Sequence, residues 1–160
     1  MAETIKKMLV WLGCVLFCLF FWVAMIRGCV GAEPVELSIV SYIESSNNPM
    51  AYNKVSQARG LYQITPICLK EYNQWHKGEN IALNALYSPV VARKVAKWYI
   101  DVRIPQMLKA YKISDNLKNR LFAYNAGIGL VKRGIMPEET RQYISKYKRL
   151  LALREREIKG

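Results

Sequence analysis

Three short clusters hold the side chains best suited to chemistry: Glu44 followed by Ser45, then Gly60-Leu61-Tyr62-Gln63-Ile64, then Ala123-Tyr124-Asn125-Ala126-Gly127. A carboxyl group can protonate a leaving oxygen, and hydroxyl and amide groups can hold a polyhydroxyl ligand, so together they suggest a sugar-cleaving site. Breaking a glycosidic bond needs a proton on the departing oxygen and a nucleophile to share the positive charge growing at the anomeric carbon. To hold that proton near neutral pH, a carboxyl group must be desolvated, which favours its uncharged form. Glu44 follows Ile43 on an amphipathic segment close to where the chain turns outward, so partial burial at a cleft edge is expected. Taken alone, Glu44 reads more readily as an ordinary solvated helix-end glutamate, and the other clusters are what favour a catalytic reading.

The nucleophile is the harder half. Between Glu44 and Glu71 there is no Asp or Glu, so a two-carboxylate mechanism would have to draw on Glu71, Glu79, Asp101 or Asp115. The other route is assistance from the substrate itself, a recognised exception among glycosidases.

These residues must be positioned by helices. Val35, Ile39, Val40 and Ile43 keep helical spacing after Pro34, predicting a helix over 34–46 with Glu44 near its C-terminal end. Ser45-Ser46-Asn47-Asn48-Pro49 breaks the pattern and opens a loop to about residue 58. Further helices are predicted over 66–75, 89–109, 116–124, 128–133 and from 138 to about 156. No strand pattern or internal repeat stands out, so the expected class is all-α, with a small irregular or β-like element within 50–64. Tyr72, Trp75, Trp98, Tyr99 and Tyr147 either floor a ligand groove or fill the core, and core is the commoner fate of aromatic residues at helical spacing. The charged C-terminal run from Lys146 to Lys159 reads as a solvated helix covering the domain.

Length and charge bound the setting. The 160 residues suit one domain, here expected over 33–160 and preceded by a segment of different character over 1–32. Lys and Arg number 24 against 12 Asp and Glu; without Lys6, Lys7, Arg27 and Glu3 the balance is 21 to 11, so the excess belongs to the folded part. Such a surface attracts polyanions, whether cell-wall polymers, acidic lipid or nucleic acid, and charge alone does not choose among them. Lys6 and Lys7 precede an uncharged apolar run from Met8 to Ile26, whose length of about 28 Å as a helix approaches that of a bilayer core. The run is long and bulky for a signal peptide, which favours a membrane anchor with the domain outside; cleavage after Ala32 is the alternative. Cys14, Cys18, Cys29 and Cys68 lack C-x-x-C spacing and His76 is the lone histidine, so neither a metal site nor a cofactor is expected. Cys68 reads as a small buried hydrophobe and His76 as an exposed helix-end residue.

In order and spacing, the three clusters resemble the SLT-type lytic transglycosylases, enzymes of lysozyme-like fold that cut the glycan strands of bacterial peptidoglycan. The resemblance runs from about Glu44 to Tyr143. It implies that Glu44 is the catalytic acid and then the base. An N-acetyl group on the muramyl sugar attacks the anomeric carbon, and the muramyl 6-hydroxyl closes a 1,6-anhydro ring without water. It implies substrate-side roles for Ser45, Tyr62, Gln63, Tyr124, Asn125 and Tyr143. Ser45 orients the catalytic region, Tyr62 stands where the family has methionine, Gln63 meets sugar groups, and Asn125 binds an acetamido group. Tyr124 and Tyr143, the latter in Glu139-Thr140-Arg141-Gln142-Tyr143-Ile144, approach the acid. Asn47 replaces a usual aromatic or leucine, and Ser88-Pro89-Val90-Val91-Ala92 with Ala96 departs from the family's D-P-x-x-N and later glycine.

The expected partner is peptidoglycan, with the membrane contacted through the N-terminal segment and no nucleic acid. A membrane-anchored enzyme facing the periplasm or cell wall would suit a secretion, conjugation or phage-entry apparatus; a secreted or virion-associated form is the alternative. Two other functions stay open: a hydrolysing muramidase of lysozyme type, leaving reducing ends, and a non-catalytic membrane-anchored protein that binds wall polymers or nucleic acid.

Overall fold

The computed structural model of the protein describes residues 33–160, so the expected membrane segment lies outside the described residues. Among those described, no helix is long and apolar enough to cross a membrane. The class is all-α, as the periodicity predicts, and agrees with a lysozyme-like fold.

Helix α1, Leu37–Ser45, carries Glu44 in its last turn. It starts later than the spacing predicts because the preceding residues are held extended against the end of the chain: the Glu36 N–H donates to Tyr147 Oη at 2.6 Å, and Arg154 pairs with the Glu36 carboxylate at 2.7 Å. Its C-terminus is closed by two left-handed residues, Ser46 and Asn47. Ser41 Oγ donates to Asn47 Oδ1 at 2.7 Å, which gives the unusual polar residue at this position a capping role.

The 50–64 stretch is a knot of isolated antiparallel bridges, Tyr52 with Arg59 and Arg59 with Ile64. Gly60 adopts φ +74° with its backbone against residue 86, where an added Cβ would lie 2.1 Å from the Leu86 carbonyl oxygen. Helix α2, Pro66–Trp75, begins as its sequence signals: Pro66 sits in the first turn and Thr65 Oγ1 accepts from the Cys68 N–H. A 3-10 turn at Leu83–Tyr87, not expected from the sequence, buries Leu86.

The single helix predicted over 89–109 is divided. Helix α3, Pro89–Trp98, widens into a π turn at Tyr99–Arg103 before α4, Ile104–Ala110. Pro105 explains the change: it has no N–H for the carbonyl four residues back, and its ring would strike that carbonyl in a regular helix. Ala96 is fully buried, a small side chain at the position where the resembled family carries glycine.

Helix α5, Leu117–Ala126, is capped by Asn116, whose side chain accepts from the Asn119 N–H. It is followed by α6, Ile128–Arg133, and by α7, Glu138–Lys159. Helix α7 buries Thr140, Tyr143, Ile144 and Tyr147, one stripe at helical spacing, and packs on α1 and α5. Its residues from Ala152 onward are exposed, as expected of a solvated end.

Aromatic residues mostly join the interior. Tyr72 and Tyr147 are core. His76 is half-buried rather than exposed, because its ring stacks on Tyr72 with centroids 4.0 Å apart and meets Trp98 edge-on at 5.3 Å. Cys68 is buried as predicted, and burial pushes its thiol up to about 12.

Candidate active site

The ends of α1, α5 and α7 meet around a cleft of about 480 Å³. Glu44, Gln63, Tyr124 and Asn125 line it together with Asn53, Ser56, Tyr99 and Glu139. Four of the seven residues singled out from the sequence therefore share one surface. Tyr99 alone of the five aromatic groove candidates lines that surface.

The remaining three stand behind it. Ser45 does not reach the cleft: its hydroxyl is shared between the Ser41 carbonyl at 3.0 Å and the Leu61 carbonyl at 2.9 Å, tying the end of α1 to the Gly60–Ile64 segment. Tyr62 corrects the expectation of a substrate-side role for its ring, since its side chain is 3 % exposed and belongs to the core. What Tyr62 contributes is its backbone carbonyl, which accepts from Tyr124 Oη at 2.6 Å. Tyr143 is 7 % exposed and packs beneath Glu44 instead of lining the cleft.

Hydrogen bonds fix which end of each amide faces the ligand. Thr140 Oγ1 donates to Asn125 Oδ1 at 2.7 Å, leaving the Asn125 NH2 group as the donor available to the cleft. Gln63 Nε2 donates to the Gly60 carbonyl at 3.1 Å and to that of Ala51 at 3.4 Å, leaving Oε1 as an acceptor. The cleft thus offers one amide donor and one amide acceptor beside a carboxyl group.

Residues 28–146 match the family described as Transglycosylase SLT domain. The chain belongs to that family. Membership indicates lytic transglycosylase activity on peptidoglycan. No curated protein and no solved structure matches the chain.

In this transglycosylase domain the Glu44 carboxyl group is pushed up from 4.5 to about 7. Burial is the main cause, the nearby Tyr143 hydroxyl pulls the other way, and the Glu139 charge adds to the rise. The Tyr143 hydroxyl itself is buried without a hydrogen bond of ordinary geometry. Tyr124 and Tyr143 are both raised by burial and by the adjacent carboxylate of Glu44, so both stay protonated near neutrality. A carboxyl group titrating close to neutral pH can give up a proton in one step and take one in the next.

The four carboxylates proposed from the sequence as second acids are engaged elsewhere. Glu71 pairs with Arg103, Glu79 with Lys94, Asp101 with Lys97, and Asp115 with Arg120. None lines the cleft; the second carboxylate there is Glu139, the first residue of the Glu139–Ile144 segment. Its signal was present in the spacing, because Glu139 and Tyr143 lie four residues apart and so share a face of one helix. Among the described residues, no group of three or more His, Cys, Asp or Glu is placed to hold a metal ion.

Proposed function

We propose that the protein cleaves the MurNAc-GlcNAc bond of peptidoglycan without water, leaving a 1,6-anhydromuramyl end. The observation that carries this reading is the half-buried Glu44 carboxyl group, poised at about 7, in a cleft that also presents amide groups. In the first step Glu44 gives its proton to the departing N-acetylglucosamine oxygen while the acetamido carbonyl oxygen of the muramyl sugar bonds to the anomeric carbon. In the second, the carboxylate takes the proton of the muramyl 6-hydroxyl. That oxygen displaces the acetamido oxygen, and the acid is restored. The Asn125 donor and Gln63 acceptor complement an acetamido group, which has one carbonyl and one N–H to satisfy.

Hydrolysis is the second reading, favoured by Glu139 as a cleft carboxylate that could activate water. The apolar run over 8–26 supports anchorage in a membrane with the domain on the envelope side, a setting suited to local opening of the wall for a secretion, conjugation or phage-entry apparatus. The full chain incubated with purified peptidoglycan should release anhydro-ended muropeptides by mass spectrometry; reducing ends would instead establish the hydrolytic reading. Glu44→Gln should lower the rate roughly a hundred- to ten-thousand-fold with the fold retained. An unchanged rate removes Glu44 from the mechanism, and binding without release by the unaltered protein favours a non-catalytic wall-binding role.

A further inference from the structure

In a chain with 24 basic residues against 12 acidic, no Lys or Arg among the described residues lines the cleft, and the two carboxyl side chains there are Glu44 and Glu139. They occupy opposite kinds of helix end. Glu44 lies in the last turn of α1, where the backbone carbonyls of the helix disfavour an anion, whereas Glu139 lies in the first turn of α7, where the free N–H groups favour one. Glu138, its neighbour, is engaged by Arg141 at 3.0 Å, but Glu139 has no hydrogen bond or ion pair among the described residues. Tyr143, one turn further along the same face of α7, packs against Glu44, so that face is turned toward the acid.

From this arrangement, and resting on Glu44 as the acid of the proposed reaction, we propose that Glu139 is a positioning residue, a fixed anion that acts through Glu44 and not on the glycosidic oxygen itself. The helix ends place the two carboxyl groups in opposite backbone fields, Glu44 beside carbonyls and Glu139 beside free N–H groups. The other titratable groups around Glu44 are Tyr143 on α7, Tyr124 on α5, Cys68 on α2 and Tyr99 on the π turn. All four are raised by burial and uncharged near neutrality, so Glu139 is the charge that bears on Glu44 as it titrates. The negative charge favours the protonated form of Glu44 until substrate arrives.

The test is the pH profile of kcat/KM for the full chain, Glu139→Gln and Glu139→Asp, with anhydro-ended product as the readout. The expected result is an alkaline limb moved down by about half a pH unit in Glu139→Gln, the scale for partly solvated charges, with activity retained on the acid side and the limb restored by Glu139→Asp. A profile of unchanged shape, whether at full height or scaled down uniformly, would overturn the proposal. Carbon-13 NMR titration of glutamate-labelled protein follows the Glu44 carboxyl group without any turnover. If no anhydro product forms, the reaction assigned above fails, while a lowered Glu44 titration in Glu139→Gln still upholds the coupling and an unmoved one refutes it.

Discussion

Glu44→Gln should make the protein more stable, and increasingly so as pH rises. In the folded chain the Glu44 carboxyl group titrates at about 7 instead of 4.5. Below the unfolded value both states hold the proton, and the substitution exchanges one neutral group for another of similar shape. Between the two values the native state binds the proton more strongly than the unfolded state, so native stability falls as pH rises. Above the folded value the loss is complete, because a charged carboxylate must then remain buried. The interval from 4.5 to about 7, at about 1.4 kcal/mol per pH unit, amounts to about 3 kcal/mol. Glutamine never ionises and escapes this loss. Urea unfolding of both proteins, followed by circular dichroism across the acid-to-alkaline range, should give curves that coincide at low pH and separate by about 3 kcal/mol at alkaline pH. Taking the difference between the two proteins cancels the titration of every group not coupled to Glu44. A difference independent of pH would refute the reasoning, since it would mean that Glu44 titrates as a solvated carboxylate and lacks the character of a neutral-pH acid.

Gly60→Ala should cost at least about 3 kcal/mol in the same unfolding assay, because the new Cβ would overlap the Leu86 carbonyl oxygen at a left-handed backbone position. Tyr124→Phe removes the donor to the Tyr62 carbonyl and should cost about 1–3 kcal/mol, with tryptophan fluorescence reporting an otherwise native fold. Thr140→Val releases the Asn125 amide from its fixed orientation. It should lower kcat/KM on peptidoglycan roughly tenfold while Thr140→Ser retains activity, and equal losses in both would show that the hydroxyl does not set the amide.

Where local signals set an element, the chain is legible. Thr65 and Pro66 announce α2, and its limits at Pro66 and Trp75 follow the sequence reading. The stripe Thr140, Tyr143, Ile144 and Tyr147 likewise gives α7 its buried face. Misreadings arise where a distant contact overrides a local preference. Pro34 and Val35 suit a first helical turn, but the hydrogen bond from Glu36 to Tyr147, far along the chain, keeps that stretch extended. Tyr62 illustrates the same limit at the site. Its neighbour Gln63 faces the cleft, but the hydrophobic core takes the tyrosine ring and leaves only its carbonyl for Tyr124.

Glu139 is hard to read from the sequence for a related reason. A partner for Glu44 is naturally sought along the loop that follows it, and that loop holds no carboxylate up to Glu71. The packing of α7 on α1 and α5 supplies one from the other end of the domain. Among the described residues, the cleft of this strongly basic protein is lined by no lysine or arginine. A lysine or arginine there would pair with Glu44, hold it ionised and remove its proton-donating form. Burial, the carbonyl end of α1 and the charge of Glu139 all act in the opposite sense, and only the Tyr143 hydroxyl favours ionisation. The balance leaves a carboxyl group whose two protonation states are both accessible near neutral pH, which is the property that a single residue serving first as acid and then as base requires.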